Sequence, residues 1–248
     1  MNQELLHFDS AYATYSLPNN DPFDAKFDLS NTIREAKRIY LKSIEMPITF
    51  ANIRSGGTLN KIILSTNLGN TYTVSVAQAN YSTIDTLLTA INNAFVGVVP
   101  NTTVTFSYSG TKVTVAATSS TITSFSLTDT NLSKYVLGFR NATFSGLSTT
   151  APIDFFLNVD NYVVMWLKNV ASDNTSCNGR INCSFKIPLQ AVNGMVYFAA
   201  EGSGMQQSIR LMDTNGCYTY FQVQIYDRFD TLILGNNTDY SFSLGLEY

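Results

Sequence analysis

The chain has 248 residues, 45% of them hydrophobic and 13% charged, with a formal net charge of −3. The charged share is about half the ~25% of an average soluble protein, and the apolar share is ordinary, which excludes a disordered charged tail. The small net charge excludes a large electrostatic funnel for nucleic acid.

Residues 1–30 carry neither the period of a helix nor that of a strand. Aromatic residues alternate irregularly with polar ones, and Pro18 and Pro22 remove two backbone donors. This predicts an extended N-terminal arm over 1–30, followed by one domain over 31–248. Large apolar side chains in such an arm are costly in water, since burying one Phe is worth ~1.5–3 kcal/mol. Leu5, Leu6, Phe8, Tyr12 and Tyr15 are therefore the candidate inter-subunit contacts of an arm that orders on assembly. The competing reading is an arm that packs along its own domain as an edge cover.

Ile39 to Met46 reads as a strand that Pro47 ends. Arg34, Lys37, Arg38 and Lys42 form the one basic cluster, interrupted by Glu35 and Glu45. A solvated strand face accounts for it better than phosphate contact. Tyr72, Val74 and Val76 alternate with polar residues, as do Val104, Phe106 and Tyr108. Ser109-Gly110 then turns the chain into Thr111 to Val115, a hairpin signal. Between these strands lies one helix over about 82–95. Tyr81, Ile84, Leu87, Leu88, Ile91 and Phe95 recur at helical spacing, Ser82 and Asp85 fit a capping box, and Gly97 and Pro100 close the helix.

The stretches 116–131 and 141–151 read as loops. Tyr162 to Leu167 is apolar on both faces and is expected in the middle of a sheet. Shorter runs follow at Cys183 to Ile187 and Met195 to Ala199. Phe221, Val223 and Ile225 alternate with polar residues, and so do Tyr240, Phe242, Leu244, Leu246 and Tyr248. Many short strands and one helix predict an all-β sandwich or barrel, without the βαβ alternation of a parallel sheet.

Catalytic and ligand motifs are sparse in the chain. His7 is the single histidine, so a triad would need the arm to fold over a pocket. One His and three scattered Cys do not reproduce a zinc-ligand spacing. Ser55-Gly56-Gly57 and Gly202-Ser203-Gly204 are followed by no lysine-bearing helix and are turns rather than phosphate cradles. Asp213-Thr214-Asn215-Gly216 lacks the other ligands of a calcium loop. Asp154, Asp160, Asp227 and Asp230 sit at strand ends, where Asp serves the backbone. The expectation is no enzyme, no catalytic residue, no cofactor and no metal.

Cys177 and Cys183 flank Asn178-Gly179-Arg180 and are the candidate pair for a local disulfide; the alternative is free thiols. Asn-x-Ser/Thr triplets at Asn80, Asn101, Asn141 and Asn236 follow from the composition. No apolar run approaches the ~18 residues of a membrane span, and the first residues do not read as a secretory signal.

Several short motifs carry a resemblance. Ile39 to Met46, then Pro47-Ile48-Thr49-Phe50-Ala51-Asn52-Ile53, resembles the first strand and following turn of penton (vertex) capsid proteins. These belong to virophages, polinton-like viruses and large eukaryotic DNA viruses of the double-jelly-roll lineage. Asn80-Tyr81-Ser82-Thr83 opening a helix with Asn92 and Asn93 is similar to the same family, as are Leu137-Gly138-Phe139, Val223 to Asp227 and the terminal strand. The chain departs from the family at Ser55-Gly56-Gly57, where an Asn pair is common, and at Ala79, where Gly is common.

The resemblance implies a single antiparallel jelly-roll sandwich with one inserted α-helix (about 82–95). It implies a homopentamer at icosahedral vertices, beside trimers of a double-jelly-roll major capsid protein. It places the chain in the virion after synthesis in the host cytoplasm, with no sequence-specific nucleic acid and no transmembrane segment. The alternative is a carbohydrate- or receptor-binding β-sandwich module of a virion or fibre, with Tyr218, Tyr220 and Tyr226 as stacking rings.

Overall fold

A computed structural model describes residues 3–15, 21–98, 104–117, 121–140, 146–171, 183–189, 194–200, 207–212 and 216–248. In chain order the strands are β1 (Gln3–Asp9), β2 (Thr14–Tyr15), β3 (Asp24–Arg34), β4 (Arg38–Pro47), β5 (Lys61–Thr66), β6 (Thr71–Ser75), β7 (Val104–Ser109) and β8 (Lys112–Ala117). They continue as β9 (Phe125–Leu127), β10 (Ser148–Thr150), β11 (Tyr162–Leu167), β12 (Phe185–Pro188), β13 (Val196–Ala200), β14 (Gln207–Arg210), β15 (Cys217–Tyr226) and β16 (Ser241–Glu247). The helix α1 spans Ile84–Val98.

The chain divides into two compact units, Met1–Phe50 with Asp160–Tyr248, and Ala51–Val159. In the first unit, one sheet has the order β1-β16-β4-β13, with β14 also on β4. The other has the order β12-β11-β15-β3, extended by β2. All of these pairings are antiparallel. The eight strands β1, β3, β4, β11, β12, β13, β15 and β16 alternate between the two sheets, except that β11 and β12 share one. That winding is the antiparallel jelly roll.

Inward residues of both sheets form one core. Phe8 of β1 stacks on Phe242 of β16 at 4.8 Å. It meets Phe27 of β3 edge-on at 5.5 Å and Phe221 of β15 at 5.9 Å. Such aromatic contacts add to the apolar area removed from water. Gly245 of β16 lies under the aliphatic stem of Lys42, whose Cε would stand 2.7 Å from a Cβ there.

This arrangement corrects the expected organisation. Residues 3–9 pair with 241–247 over their whole length, and the expected boundary at 30/31 falls inside β3. Ile39 to Met46, expected as the first strand of the roll, is β4, which lies between β16 and β13/β14. The one expected helix is α1, which lies within 51–159 together with six strands. The expectation of a central Tyr162–Leu167 holds, since β11 lies between β12 and β15.

The second unit contains two three-stranded sheets, β10-β8-β7 and β6-β5-β9, with α1 against β6 and β7. Leu87, Leu88, Ile91 and Phe95 of α1 are buried, and Phe95 meets Phe106 at 5.5 Å. Thr83, not Ser82, caps the helix: its Oγ1 accepts from the Thr86 N–H at 3.3 Å. The β7–β8 turn is Gly110-Thr111, one residue later than expected, because Ser109 pairs with Lys112 and Gly110 takes φ +59°. Both expected loops contain strands. Phe125–Leu127 joins β5, and Ser148–Thr150 joins β8.

Candidate functional site

Of the expected arm contacts, three are occupied within the roll. Phe8 is in the core, and Leu6 and Tyr15 pack against it. The Tyr15 hydroxyl donates to the Ser10 carbonyl at 3.2 Å and to Asp239 Oδ1 at 3.4 Å. Burial, then the Asp239 carboxylate, raises its pKa. Leu5 and Tyr12 stay in solvent, 54% and 90% exposed. The physical reason is alternation. β1 is an outer strand of its sheet, so Leu6 and Phe8 point inward while Leu5, His7 and Asp9 point out.

His7 therefore lies on the outer face. Its Nδ1 is 2.7 Å from Ser243 Oγ, and Ser243 Oγ accepts from Ser43 Oγ at 3.0 Å. These three side chains come from β1, β16 and β4 side by side. A cavity of about 360 Å³ is lined by His7, Phe8, Asp9, Tyr12, Phe27, Asp28 and residues 241–243. A His beside a Ser suggests nucleophilic catalysis, but the rest of such a site is missing among the described residues. No carboxylate is hydrogen-bonded to His7, and Ser243 is buried mid-strand in β16, which is paired on both edges. The pair is a cross-strand polar contact.

A second cavity, about 200 Å³, is lined by Asp9, Glu45, Pro47, Val196, Asp239, Tyr240 and Ser241. Beside it, β13 turns Val196 and Phe198 outward, 55% and 67% exposed, with Met195 before them at 56%. Tyr197 and Ala199 face the core. β13 pairs with β4 on one edge and has no strand on the other among the described residues. This outward apolar edge, bordered by carboxylates, is the most distinctive surface of the roll and was absent from the sequence reading. Its signal in the sequence is a Met-Val-Tyr-Phe run with no polar residue on either face.

The other candidates lie apart from these surfaces. Asp227 Oδ1 accepts from the Phe229 and Thr231 backbone N–H groups at 2.8 and 2.9 Å, and Asp230 belongs to the same turn. Neither cavity is lined by Asp154, Asp160, Asp227 or Asp230. Among the described residues, no group of three or more His, Cys, Asp or Glu is placed to hold a metal. No helix among them is long and apolar enough to cross a membrane. Tyr218 is buried, Tyr220 lies under the Lys26 ammonium at 4.7 Å, and the Tyr226 hydroxyl donates to Gln224. These rings are therefore packing rather than open stacking platforms. Cys183 is partly buried on the roll. Cys177, Gly202-Ser203-Gly204 and Asp213-Thr214-Asn215 lie outside the described residues.

The short motifs behind the family resemblance are brought together as hydrogen-bonding devices. Asn52 Nδ2 donates to the Tyr81 carbonyl and Oδ1 accepts from the Tyr81 N–H, both at 2.9 Å. The Asn52 N–H donates to Asn80 Oδ1 at 2.9 Å. The Asn52-Ile53 turn is thus clasped to the segment that opens α1. Asn92 likewise grips both backbone groups of Phe106. Gly138 takes φ +85°, and a Cβ there would stand 2.1 Å from the Ile153 carbonyl oxygen, so only glycine fits.

No protein-family model matches the chain, and no curated protein matches it in sequence. Among solved structures it is similar to a chain of the Sputnik virophage structure determined by cryo-EM, with 12% identity and a TM-score of 0.39, covering 98% of this chain and 97% of that one. It is also similar to the mavirus penton protein, with 13% identity and a TM-score of 0.49, over 100% of this chain and 99% of that one.

Proposed function

We propose that the chain is a structural protein of a virion, a penton or minor capsid protein that forms homopentamers at icosahedral vertices beside a double-jelly-roll major capsid protein. The observation that carries this reading is the outer edge of the jelly roll. Exposed Val196 and Phe198 on a strand with no partner on one edge among the described residues are chemistry for subunit contact rather than for a substrate. The motif resemblance and the eight-strand winding agree with it. Leu5 and Tyr12, exposed on the same roll, are the remaining terminal contacts to neighbours. In this reading the protein is made in the host cytoplasm, ends in the capsid and performs no catalysis. Electron microscopy of the purified protein tests it: fivefold rings are expected, and a monodisperse monomer at high concentration would refute it.

A second reading, a glycan- or receptor-binding module, has one observation in its favour. In the second unit Tyr108 and Phe156 are 40% and 57% exposed. Phe155 meets Tyr108 edge-on at 6.0 Å, and the Tyr108 hydroxyl donates to Asp85 at 2.9 Å. Rings next to a carboxylate suit a sugar's C–H face and hydroxyls. A glycan array scored for signal lost in Phe156→Ala discriminates the two.

A further inference from the structure

We propose that copies of this chain close a ring head to tail. The outer face of the β1-β16-β4-β13 sheet of one copy, around Glu45 and Phe198, packs on the outer face of the β12-β11-β15-β3 sheet of the next, around Tyr162 and Lys186. This rests on the self-assembly reading above and adds which two faces meet and what holds them.

A rotation keeps each residue's height along the axis and its distance from that axis, and a head-to-tail contact joins two different surfaces. In a ring whose axis follows the strands, each residue therefore meets, on the next copy, what lies directly across the sandwich from it. Contacts inside the roll fix that correspondence. Glu45 pairs with Ser241, which follows Tyr240. The Tyr240 ring meets Phe23 at 5.3 Å, and the Phe23 carbonyl accepts from the Ile225 N–H at 3.0 Å. Ile225 is in register with Met165 of β11, so the Glu45 row lies across from the Met165 row. At the border of the sandwich, Gln207 of β14 donates to the Lys186 carbonyl, so β12 lies across from the β13 side.

On the first face, Glu45 is exposed and makes no ion pair among the described residues. With Asp9 and Asp239 it lines the cavity of about 200 Å³, which no cationic side chain lines. Exposed Val196 and Phe198 stand beside it. On the second face, strand alternation turns Tyr162, Val164 and Trp166 outward, because Val163, Met165 and Leu167 are in the core. Val164 is in register with Lys186 on one side and Tyr226 on the other. The Trp166 and Tyr226 rings lie 6.1 Å apart, and the Lys186 ammonium stands 4.3 Å from the Tyr162 ring. That contact orients the ammonium but brings no carboxylate to it among the described residues.

At matched positions, then, one face offers apolar side chains beside three carboxylates, and the other a lysine on a bed of half-buried rings. In the ring, Phe198 and Val196 cover Tyr162 and Trp166, and the Lys186 ammonium enters the cavity between Glu45, Asp9 and Asp239. An apolar anchor with charge at its rim is the usual anatomy of a specific interface. At the other end of the strands both faces carry cations, Arg38 and Arg210 on one and Lys168 beside the other. Like charges oppose close approach there, which confines the contact to the Glu45 end.

The test is sedimentation velocity over a concentration series on the full chain and four variants: Glu45→Lys, Lys186→Glu, the two combined, and Phe198→Ser. Each single charge reversal is expected to weaken self-association at least about tenfold, a loss typical of placing like charges across an interface. The combined reversal is expected to restore most of that loss. Phe198→Ser and Lys186→Glu are each expected as monomers alone and as 1:1 pairs when mixed, because each keeps the one face that the other has lost. A thermal melt of each variant checks that it folds, and recovery in the combined variant shows the same for the single reversals. Assembly that continues unchanged in all four variants overturns this inference and leaves the self-assembly reading standing. So does loss of assembly in Glu45→Lys and Phe198→Ser but not in Lys186→Glu, because the Glu45 face then meets a different surface. A wild-type chain that stays monomeric overturns both.

Discussion

Replacing Phe8 by Ala separates a strand that belongs to the roll from an arm that waits for a neighbour. Phe8 is 8% exposed, stacked on Phe242 and edge-on to Phe27 and Phe221. Truncation removes the transfer free energy of the ring, ~1.5–3 kcal/mol, and three aromatic contacts. It also leaves a cavity between sheets held by β16 and β15 on either side. Measured Phe→Ala changes in cores cost about 3–5 kcal/mol, and that range is expected here. For a chain of this size each kcal/mol moves the melting temperature by ~2–4 °C, so a fall of about 6–20 °C follows. Trp166, the single tryptophan, lies on β11 of the same unit and reports its unfolding in urea. Leu5→Ala, one strand face away and exposed, is the control and should stay within about 0.5 kcal/mol. If Phe8→Ala cost no more than Leu5→Ala, residues 3–9 would contribute nothing to the isolated roll. The strand assignment would then be wrong, and the waiting arm right.

Asn52→Leu is expected to cost about 1–3 kcal/mol, because it strands the backbone N–H and carbonyl of Tyr81. Hydrogen exchange at the Tyr81 amide should accelerate. Gly138→Ala should destabilise by more than the ~1–3 kcal/mol of a strained backbone, since the new Cβ meets the Ile153 carbonyl; a thermal melt reads it. Tyr240→Phe should stabilise the roll by about 1 kcal/mol at neutral pH, because the buried hydroxyl has no hydrogen-bond partner among the described residues. Burial, then Asp24 and Asp21, holds the Tyr240 pKa well above 10.0. The folded state therefore keeps the proton longer than the unfolded chain. Its stability is full below ~10 and falls as pH rises beyond that, less steeply in Tyr240→Phe. A denaturant series between pH 8 and 11 checks the slope.

The second half of the roll was legible in the residues alone. β15 and β16 place a large apolar side chain at every second position, Phe221, Val223 and Ile225 on one and Phe242, Leu244 and Leu246 on the other, so their period of two survives in the sequence. α1 was legible because Ile84, Leu87, Leu88, Ile91 and Phe95 form one buried stripe at helical spacing. The turn role of Asp227 was legible too, because an Asp before a turn accepts from the backbone N–H groups that follow it, here those of Phe229 and Thr231. β1 was not. It presents only Leu6 and Phe8 to the core, too few positions to establish a period, and Leu5 beside them blurs it. β9 and β10, three residues each, are shorter than any periodic signal.

What only the tertiary structure decided is what pairs with what. β1 meets β16 across more than 230 residues of chain, and nothing local encodes that pairing. The division at Phe50–Ala51 and Val159–Asp160 leaves no compositional trace either, because all four residues at the crossings are buried and no run of exposed polar residues marks them. The outward edge of β13 reads in sequence only as a short apolar run, Met195 to Ala199. Whether Phe198 faces a core or a partner depends on which face of β4's neighbour is covered, and that is a property of the sheet rather than of the strand.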